Sequence, residues 1–220
     1  PHKTYKQSLF NTIYKIVQKY SFKKKLKIIN KFFDKKGSLI DIGGGTGDFC
    51  KFMTNCGWDA ILQDNSKSAL SVVDSKNIPI INSLNELDDD KSFDLITFWH
   101  SLEHIHNIPE IFSMVKQHLK NNKYVIFAVP NNHAPEKYFY NEFWAPWDAP
   151  RHLYHFSKST LTKLLLKYNL KPVYWKSLPQ DTPYNILLSM EKYSVRSLLK
   201  GFFVLLYSWI ANLFKGVESS

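Results

Sequence analysis

Short apolar runs alternate with segments of helical periodicity between residues 38 and 129. The runs have the length and the β-branched or aromatic content of buried strands, and they lie at 38–42, 58–63, 78–81, 93–99 and 124–129. Apolar residues at helical spacing predict the helices between them, at about 46–56, 66–74 and 108–119, with a turn at Asn121-Asn122 before the last strand. This alternation predicts an α/β fold with a doubly wound, mostly parallel sheet and helices on both faces.

Further elements flank this core. Before it, the spacing predicts two helices at 5–20 and 22–33, the second capped by Ser21. After it, we expect a long aromatic loop, a helix, a strand and a pair of helices, at 131–156, 158–169, 172–177 and 184–214. The longest uninterrupted apolar run in the last pair is about 14 residues, too short to span a bilayer. We therefore divide the chain into basic N-terminal helices, a core and apolar C-terminal helices that belong to the same domain, at 1–36, 37–179 and 180–220.

The net positive charge comes from the N-terminal segment, because the rest of the chain has equal numbers of basic and acidic residues. The formal net charge of the 220 residues is +10, and residues 1–37 hold eleven lysines and one acidic residue. These lysines either form solvated helix faces or attract an anionic membrane surface or an acidic substrate. Nucleic acid is not expected as a partner, because interleaved arginines and stacking aromatics are missing.

The two cysteines, Cys50 and Cys56, fit neither a disulfide framework nor a CxxC site. A reducing compartment and a cytoplasmic location are therefore predicted. No signal peptide is expected, because residues 1–36 are basic and no apolar core follows them. The basic and apolar ends together suit peripheral contact with a membrane surface, which is a hypothesis at this point.

Four glycines fall within five residues directly after the first strand, in Asp41-Ile42-Gly43-Gly44-Gly45-Thr46-Gly47. The dinucleotide fingerprint G-x-G-x-x-G fails, because its third glycine is replaced by Asp48 in one frame and by Cys50 in the other. Asp41 would repel a pyrophosphate and suits a ligand with a cationic end, such as the amino group of S-adenosylmethionine. Asp64, at the end of the second strand, can accept both hydroxyls of a ribose.

With these motifs, the chain resembles class I S-adenosylmethionine-dependent methyltransferases over roughly residues 37–178. The resemblance rests on the glycine loop, on Asp64, and on the segments Ser92–His104, Val129–Asn131 and Pro150–Ser157. It is strongest to the branch of ubiquinone-biosynthesis-type O-methyltransferases and their uncharacterised relatives. It implies a Rossmann-like methyltransferase fold, with S-adenosyl-L-methionine as cofactor and S-adenosyl-L-homocysteine as product. The family's final antiparallel strand is not evident, so either the chain is truncated or the C-terminal helices replace that strand.

The resemblance also implies the cofactor contacts. The loop glycines would approach the amino acid portion of the cofactor, Ser83 and Leu84 would border its adenine, and Trp99 and His100 would line the floor. The predicted cofactor set is Asp41, Gly43, Gly44, Gly45, Gly47, Asp64, Asn65, Ser83, Leu84, Trp99 and His100. Ligands of doubly wound sheets bind at the carboxyl ends of the strands, so we expect the loop, Asp64, Asn82-Ser83 and Trp99-His100 to converge on one crevice.

Two histidine-bearing segments offer a base for an oxygen nucleophile. His104 lies just past the fourth strand and is the first candidate, although it could equally order its loop by hydrogen bonding. The segment at 144–156 predicts either an aromatic lid over the acceptor or a packed structural loop. In that segment His152 is the alternative base, and Arg151 could pair with an acidic group of the acceptor. His100 and His104 flank Glu103, but no third ligand has a convincing spacing, so no metal is expected.

The predicted function is methyl transfer from S-adenosylmethionine to a small-molecule or lipid-linked acceptor, at oxygen. Methylation of nucleic-acid bases is not expected, because neither residues 98–101 nor residues 130–132 match the Asn/Asp-Pro-Pro-aromatic tetrapeptide. Two alternatives stay open: a cofactor-binding or scaffold protein without turnover, and an NAD(P)-dependent oxidoreductase. The sequence determines neither the acceptor nor the oligomeric state.

Overall fold

The computed structural model describes residues 2–71, 73, 78–190 and 194–215. The strands are β1 Ser38–Ile42, β2 Asp59–Gln63, β3 Ile80–Ile81, β4 Phe93–Trp99 and β5 Leu119–Ala128. The helices are α1 His2–Ile29, α2 Asp48–Asn55, α3 Lys67–Leu70, α4 Ile108–His118, α5 Lys137–Tyr140, α6 Lys158–Lys167, α7 Thr182–Leu188 and α8 Val195–Lys215. Short 3₁₀ turns lie at Leu84–Glu86, Leu102–His104, Asn141–Phe143 and Ala145–Trp147.

The five strands form one parallel sheet in the order β3-β2-β1-β4-β5, flanked by helices. β1 is the central strand, and its Ile40 pairs with Ile61 of β2 on one side and with Ile96 of β4 on the other. All three side chains are buried, as the continuous apolar runs of a parallel sheet require. The predicted doubly wound α/β fold is therefore confirmed, with its switch in strand order between β1 and β4.

The chain divides into two compact units. The first contains residues 1–97 and 117–126, and the second contains residues 98–116 and 127–220. The glycine loop and most of the sheet belong to the first unit. The histidine-bearing segments and the C-terminal helices belong to the second.

The N-terminal region differs from the prediction of two helices. α1 runs unbroken from His2 to Ile29, and Ser21 lies inside it rather than capping a second helix. No proline or glycine interrupts this stretch, and a serine inside a helix costs only a few tenths of a kcal/mol, about 0.5 at most. The carboxyl end of the helix is tied to α2, because the Phe22 ring lies 5.7 Å from the Phe49 ring.

Three other predicted elements change. Asn121-Asn122 form no turn, because β5 begins at Leu119 and accommodates Asn122 at a φ of 57°, a conformation that asparagine tolerates. Residues 172–177 form no strand, and Val173 is exposed rather than packed in a core as a strand of this sheet would be. The helix predicted at 66–74 is shorter, and residues 72 and 74 of it lie outside the described residues. The predicted aromatic loop contains α5 and two of the 3₁₀ turns.

Asp94, near the start of β4, ties together three strands of the first unit. Its carboxylate accepts hydrogen bonds from the Ser38 backbone N–H at 3.0 Å and from Lys120 Nζ at 2.8 Å, and Lys123 Nζ lies 3.2 Å away. Gly37 permits this approach, because a Cβ there would lie 2.5 Å from Asp94 Oδ2. Burial acts to raise the pKa of Asp94, but the bonds from Lys120, Ser38 and Lys123 together hold that pKa well below its usual value.

We expect Asp94→Asn to lower the free energy of unfolding by about 1–2 kcal/mol at neutral pH, because two lysines lose their counter-ion. The folded-state pKa lies below the unfolded value of about 3.9, so the carboxylate stabilises fully above about pH 4 and less as the pH falls toward the folded pKa. In urea unfolding, the difference in the free energy of unfolding between Asp94→Asn and wild type should therefore become smaller below about pH 4. Asp90→Asn, in an exposed turn, is the matched control, and an equal loss in both variants would contradict the assignment.

Candidate active site

The glycine loop joins β1 to α2 and is fastened to the end of β2. The backbone N–H groups of Gly43 and Gly44 donate to the Gln63 carbonyl at 2.8 and 3.1 Å. Gly43, Gly45 and Gly47 have φ values of 68°, 59° and 71°, in the left-handed region that glycine enters without strain. The loop therefore needs glycine at these positions for its backbone path alone.

The two middle glycines face different surroundings. A Cβ on Gly44 would lie 2.5 Å from Leu62 Cδ1 and 2.7 Å from Asp41 Oδ2, so this side of the loop is closely packed. Beside Gly45, no heavy atom of the described residues other than its chain neighbours lies within 4 Å of the place where a Cβ would be. The loop thus presents bare backbone to an open space at Gly45, which is what close approach of a ligand requires.

Asp64 closes the loop from the end of β2. Its Oδ2 accepts the Gly45 N–H at 2.7 Å, and its Oδ1 accepts the Ser66 N–H at 2.8 Å. The residue is only 9% exposed. Each carboxylate oxygen keeps a further lone pair, so Asp64 can hold the loop and still accept ribose hydroxyls.

Asp41 is a buried carboxyl, 1% exposed, at the carboxyl-terminal end of β1. Thr97 of β4 lies opposite it in the sheet register and donates its hydroxyl to Asp41 Oδ1 at 2.6 Å. Burial raises the pKa of Asp41 to about 7, against the opposing effects of the Thr97 bond and Lys25, while Asp64 adds to the rise. A cationic ligand group nearby would therefore be stabilised by the ionised form of Asp41.

The end of β3 lies beside these groups. Gln63 Nε2 donates to the Asn82 carbonyl at 2.9 Å, and Ser83 caps the 3₁₀ turn Leu84–Glu86, whose Leu84 is half-buried. Asn65 is exposed next to Asp64. The structure therefore brings the predicted residues of β1, β2 and β3 to one edge of the sheet. Trp99 and His100 fall in the second unit, and their share in the same crevice stays a prediction.

In the second unit, His100 directly follows β4. Its φ is 55°, uncommon for a residue with a side chain, and its backbone N–H donates to the Ala128 carbonyl at 2.9 Å. Its Nε2 lies 3.2 Å from Asp181 Oδ2, just before α7. The Ala128 carbonyl holds the backbone of His100, and Asp181 holds its ring. Asp181 could not be found from the sequence because it lies far along the chain.

His104 and His152, predicted from separate segments, are adjacent, with ring centroids 4.6 Å apart. His104 Nδ1 lies 2.9 Å from the Arg151 carbonyl, and His152 Nδ1 lies 2.7 Å from the Pro146 carbonyl. A carbonyl can only accept, so each Nδ1 carries the proton and each Nε2 keeps its lone pair when the ring is neutral. The arrangement can therefore accept a proton at either Nε2.

Glu103 completes this histidine pair and was missed as a site residue. It is 1% exposed, and neither carboxylate oxygen has a hydrogen-bond partner within the described part of the chain. Ligand atoms of Glu103, His104 and His152 all lie within 4.8 Å of one another. These three residues could stabilise an imidazolium or hold a metal ion, and the sequence expectation of no metal stays a prediction. Arg151 forms an ion pair with Asp148 at 2.7 Å, and its predicted pairing with an acidic group of the acceptor stays a prediction.

The comparisons with known proteins agree with this fold. A family model described as a methyltransferase domain matches residues 17–174. No curated protein matches the chain in sequence.

Three solved structures are similar to the chain. An S-adenosylmethionine-dependent methyltransferase from Archaeoglobus fulgidus is 17% identical, with a TM-score of 0.58 over 90% of this chain and 88% of that one. A Thermotoga maritima methyltransferase, described as a possible histamine N-methyltransferase, is 17% identical, with a TM-score of 0.54 over 70% and 72%. The YcgJ protein of Bacillus subtilis is 21% identical, with a TM-score of 0.53 over 68% and 67%. At these identities, the similarity shows the fold.

We expect Thr97→Val to destabilise the protein in a pH-dependent way. The folded pKa of Asp41, about 7, lies above the unfolded value, so its protonated form stabilises the fold fully below about pH 4, and this is lost as the pH rises through about 7. Without the Thr97 hydroxyl, the free energy of unfolding should fall by about 1 kcal/mol near pH 5. It should fall by about 2–3 kcal/mol near pH 8, where the Asp41 carboxylate is ionised. Urea unfolding at the two pH values measures this difference. Thr162→Val, which removes a hydroxyl bond to the Lys158 carbonyl within α6, is the control and should cost the same at both.

Proposed function

The chain belongs to the family of methyltransferase domains, and on that premise we propose that it transfers a methyl group to a small-molecule or lipid-linked acceptor, at oxygen. S-adenosylmethionine is the methyl donor. The observation that carries the proposal is the loop that exposes bare backbone at Gly45 between two buried carboxyls, Asp41 and Asp64.

The residues of the first unit fit this cofactor. The open space beside Gly45 admits the amino acid portion, with Gly43, Gly44 and Gly47 shaping the backbone path. Asp41 would favour the cofactor's ammonium group, Asp64 would hold the ribose, and Asn65, Ser83 and Leu84 would border the adenine. When bound, the cofactor supplies a methyl group on a sulfonium, which is transferred by direct displacement.

The histidine pair supports oxygen as the methylated atom. The Arg151 carbonyl fixes the proton of His104 on Nδ1, which leaves Nε2 to remove the proton of an acceptor hydroxyl. The buried carboxylate of Glu103 would then stabilise the imidazolium. His152 has the same tautomer and is the alternative base. The ubiquinone-biosynthesis-type O-methyltransferases, which the motifs resemble, are the branch that we propose within the family.

A cytoplasmic location is also proposed. Cys50 and Cys56 are both free thiols, which is consistent with a reducing compartment. Cys50 is buried, its Sγ lies 3.5 Å from the Ile61 carbonyl, and burial raises the pKa of the thiol well above its usual value. It is therefore an unreactive packing residue.

Isothermal titration with S-adenosylhomocysteine and with NAD tests the cofactor assignment. We expect binding of the first and not of the second. Asp64→Asn and Asp41→Asn should each lower the affinity for S-adenosylhomocysteine by about tenfold or more, because each removes a negative charge facing the ligand. Asp59→Asn, exposed on β2, is the control and should bind like wild type. Unchanged affinity in both site variants, or binding of NAD, would refute the assignment of the loop.

Turnover on a panel of small phenols separates an enzyme from a cofactor-binding scaffold. We expect methyl transfer by wild type, and a kcat about 10²–10⁴-fold lower in His104→Gln, because glutamine cannot accept the proton. Its S-adenosylhomocysteine affinity should not change. His106→Gln, an exposed histidine in the same segment, is the control. If instead His152→Gln alone removes activity, the base is His152. If wild type does not methylate any phenol of the panel, the result favours a cofactor-binding scaffold without turnover.

A further inference from the structure

In the last helix, α8, the small residues face inward and the large apolar residues face outward, the opposite of a helix that packs on a protein core. Gly201, Val204, Ser208 and Ala211 are buried, so the inward side is made of small residues. The outward side carries eight large apolar residues that are between 38% and 66% exposed, namely Leu198, Leu199, Phe202, Phe203, Leu206, Tyr207, Trp209 and Ile210. At 3.6 residues per turn these eight form one continuous surface, which we call the outer apolar face.

Specific contacts fix this orientation of α8. The Ser208 hydroxyl donates to Glu136 Oε2 at 3.1 Å, with both residues fully buried. Gly201 leaves room for Met190, which a Cβ at that position would overlap. Val204 packs in a buried cluster with Tyr140 and Trp144. Rotating the helix to bury the outer apolar face would break the Ser208 bond and force large side chains into the space of small ones.

The apolar surface continues beyond α8. The Tyr207 ring contacts the Phe139 ring at 5.2 Å, and Tyr138 and Phe143 of the neighbouring segment are exposed. Tyr184 and Leu188 of α7 are exposed as well. Large exposed apolar side chains gathered on one helix face mark an interaction surface, because on a soluble monomer such side chains are usually scattered singly.

The charge at the amino end of α8 indicates the partner. Val195–Lys215 contains no acidic residue, and Arg196 and Lys200 are exposed in its first turns. These two side chains line a cavity of about 560 Å³ with the hydroxyl residues Ser189, Ser194 and Ser197, and with Tyr140. The Tyr140 hydroxyl is buried without a hydrogen-bond partner among the described residues. The Ser189 and Ser197 hydroxyls already donate to backbone carbonyls, so the positive charge of Arg196 and Lys200 is what suits this cavity to a phosphate group.

The composition of the outer apolar face favours lipid over protein. Tryptophan and tyrosine among leucine and phenylalanine are typical of side chains at the boundary between headgroups and acyl chains. No helix in the described ranges is long and apolar enough to cross a membrane. A helix with one apolar face and basic residues near its end is the kind that lies along a membrane surface. From Leu198 to Ile210 the face extends about 18 Å at 1.5 Å per residue.

We propose that α8 lies in the surface of an anionic lipid bilayer, with its outer apolar face among the acyl chains and a headgroup phosphate in the cavity at its amino end. This contact stands independently of the methyl transfer. The outer apolar face contains none of the residues that we propose to bind the cofactor or to act as the base.

Co-sedimentation tests the proposal with vesicles of phosphatidylcholine alone and of phosphatidylcholine mixed with phosphatidylglycerol. Wild type should bind the mixed vesicles more tightly. The double variant Phe203→Ser/Ile210→Ser should lose about tenfold or more in affinity for both, because apolar area no longer leaves water. Arg196→Gln should remove much of the gain from phosphatidylglycerol only. The control is Leu166→Ser/Val173→Ser, two exposed apolar residues elsewhere in the second unit, and it should bind like wild type.

Two outcomes would overturn the proposal. Vesicle binding that survives in Phe203→Ser/Ile210→Ser would assign membrane contact to another surface, such as the lysines of α1. No vesicle binding by wild type, together with a dimer in sedimentation velocity that this variant converts to monomer, would assign the face to a second copy of the chain. S-adenosylhomocysteine titration of every variant checks folding. Failure of wild type to bind S-adenosylhomocysteine would refute the proposed function and leave the vesicle result standing.

Discussion

The hydrogen bond from the Gly45 N–H to Asp64 is the contact on which the first unit's site depends. It joins the loop after β1 to the end of β2, beside the bonds from Gly43 and Gly44 to Gln63. The loop can turn back onto β2 only through left-handed backbone at three glycines. One short loop is thereby both the link between two central strands and the open backbone surface that a ligand can approach.

This geometry buries two carboxyls, and an ionised carboxylate that is removed from water destabilises the fold. Asp41 and Asp64 are both buried, and the charge of Asp64 contributes to the raised pKa of Asp41. The fold partly offsets this cost through the Thr97 hydroxyl. Excess negative potential at one end of a sheet disfavours pyrophosphate and favours a cationic group. We propose that the same interactions that destabilise the free protein at neutral pH favour binding of a ligand such as S-adenosylmethionine.

The second unit uses buried polar groups differently. Glu103 lies beside two histidines whose protons are held on Nδ1 by backbone carbonyls, so proton acceptors face a buried carboxylate. Farther along the chain, the buried Glu136 accepts the Ser208 hydroxyl and so contributes to the orientation of α8. Polar atoms inside the unit thus determine which apolar atoms remain outside it. The outer apolar face results from these buried contacts, because the bond between Ser208 and Glu136 and the small inward residues leave the large side chains no other side.

The sequence by itself determined the doubly wound sheet, the strands 38–42 and 93–99 to the residue, and the glycine loop with its flanking acids. These are local properties, since strand hydropathy and the φ demands of glycine act within a few residues. Only the tertiary structure decided that α1 is one helix, that residues 172–177 form no strand, and that His104, His152 and Glu103 meet. It alone paired His100 with Asp181 and turned the apolar residues of α8 outward. Hydropathy states which side chains gain by leaving water, but which of them find a partner depends on contacts between distant residues.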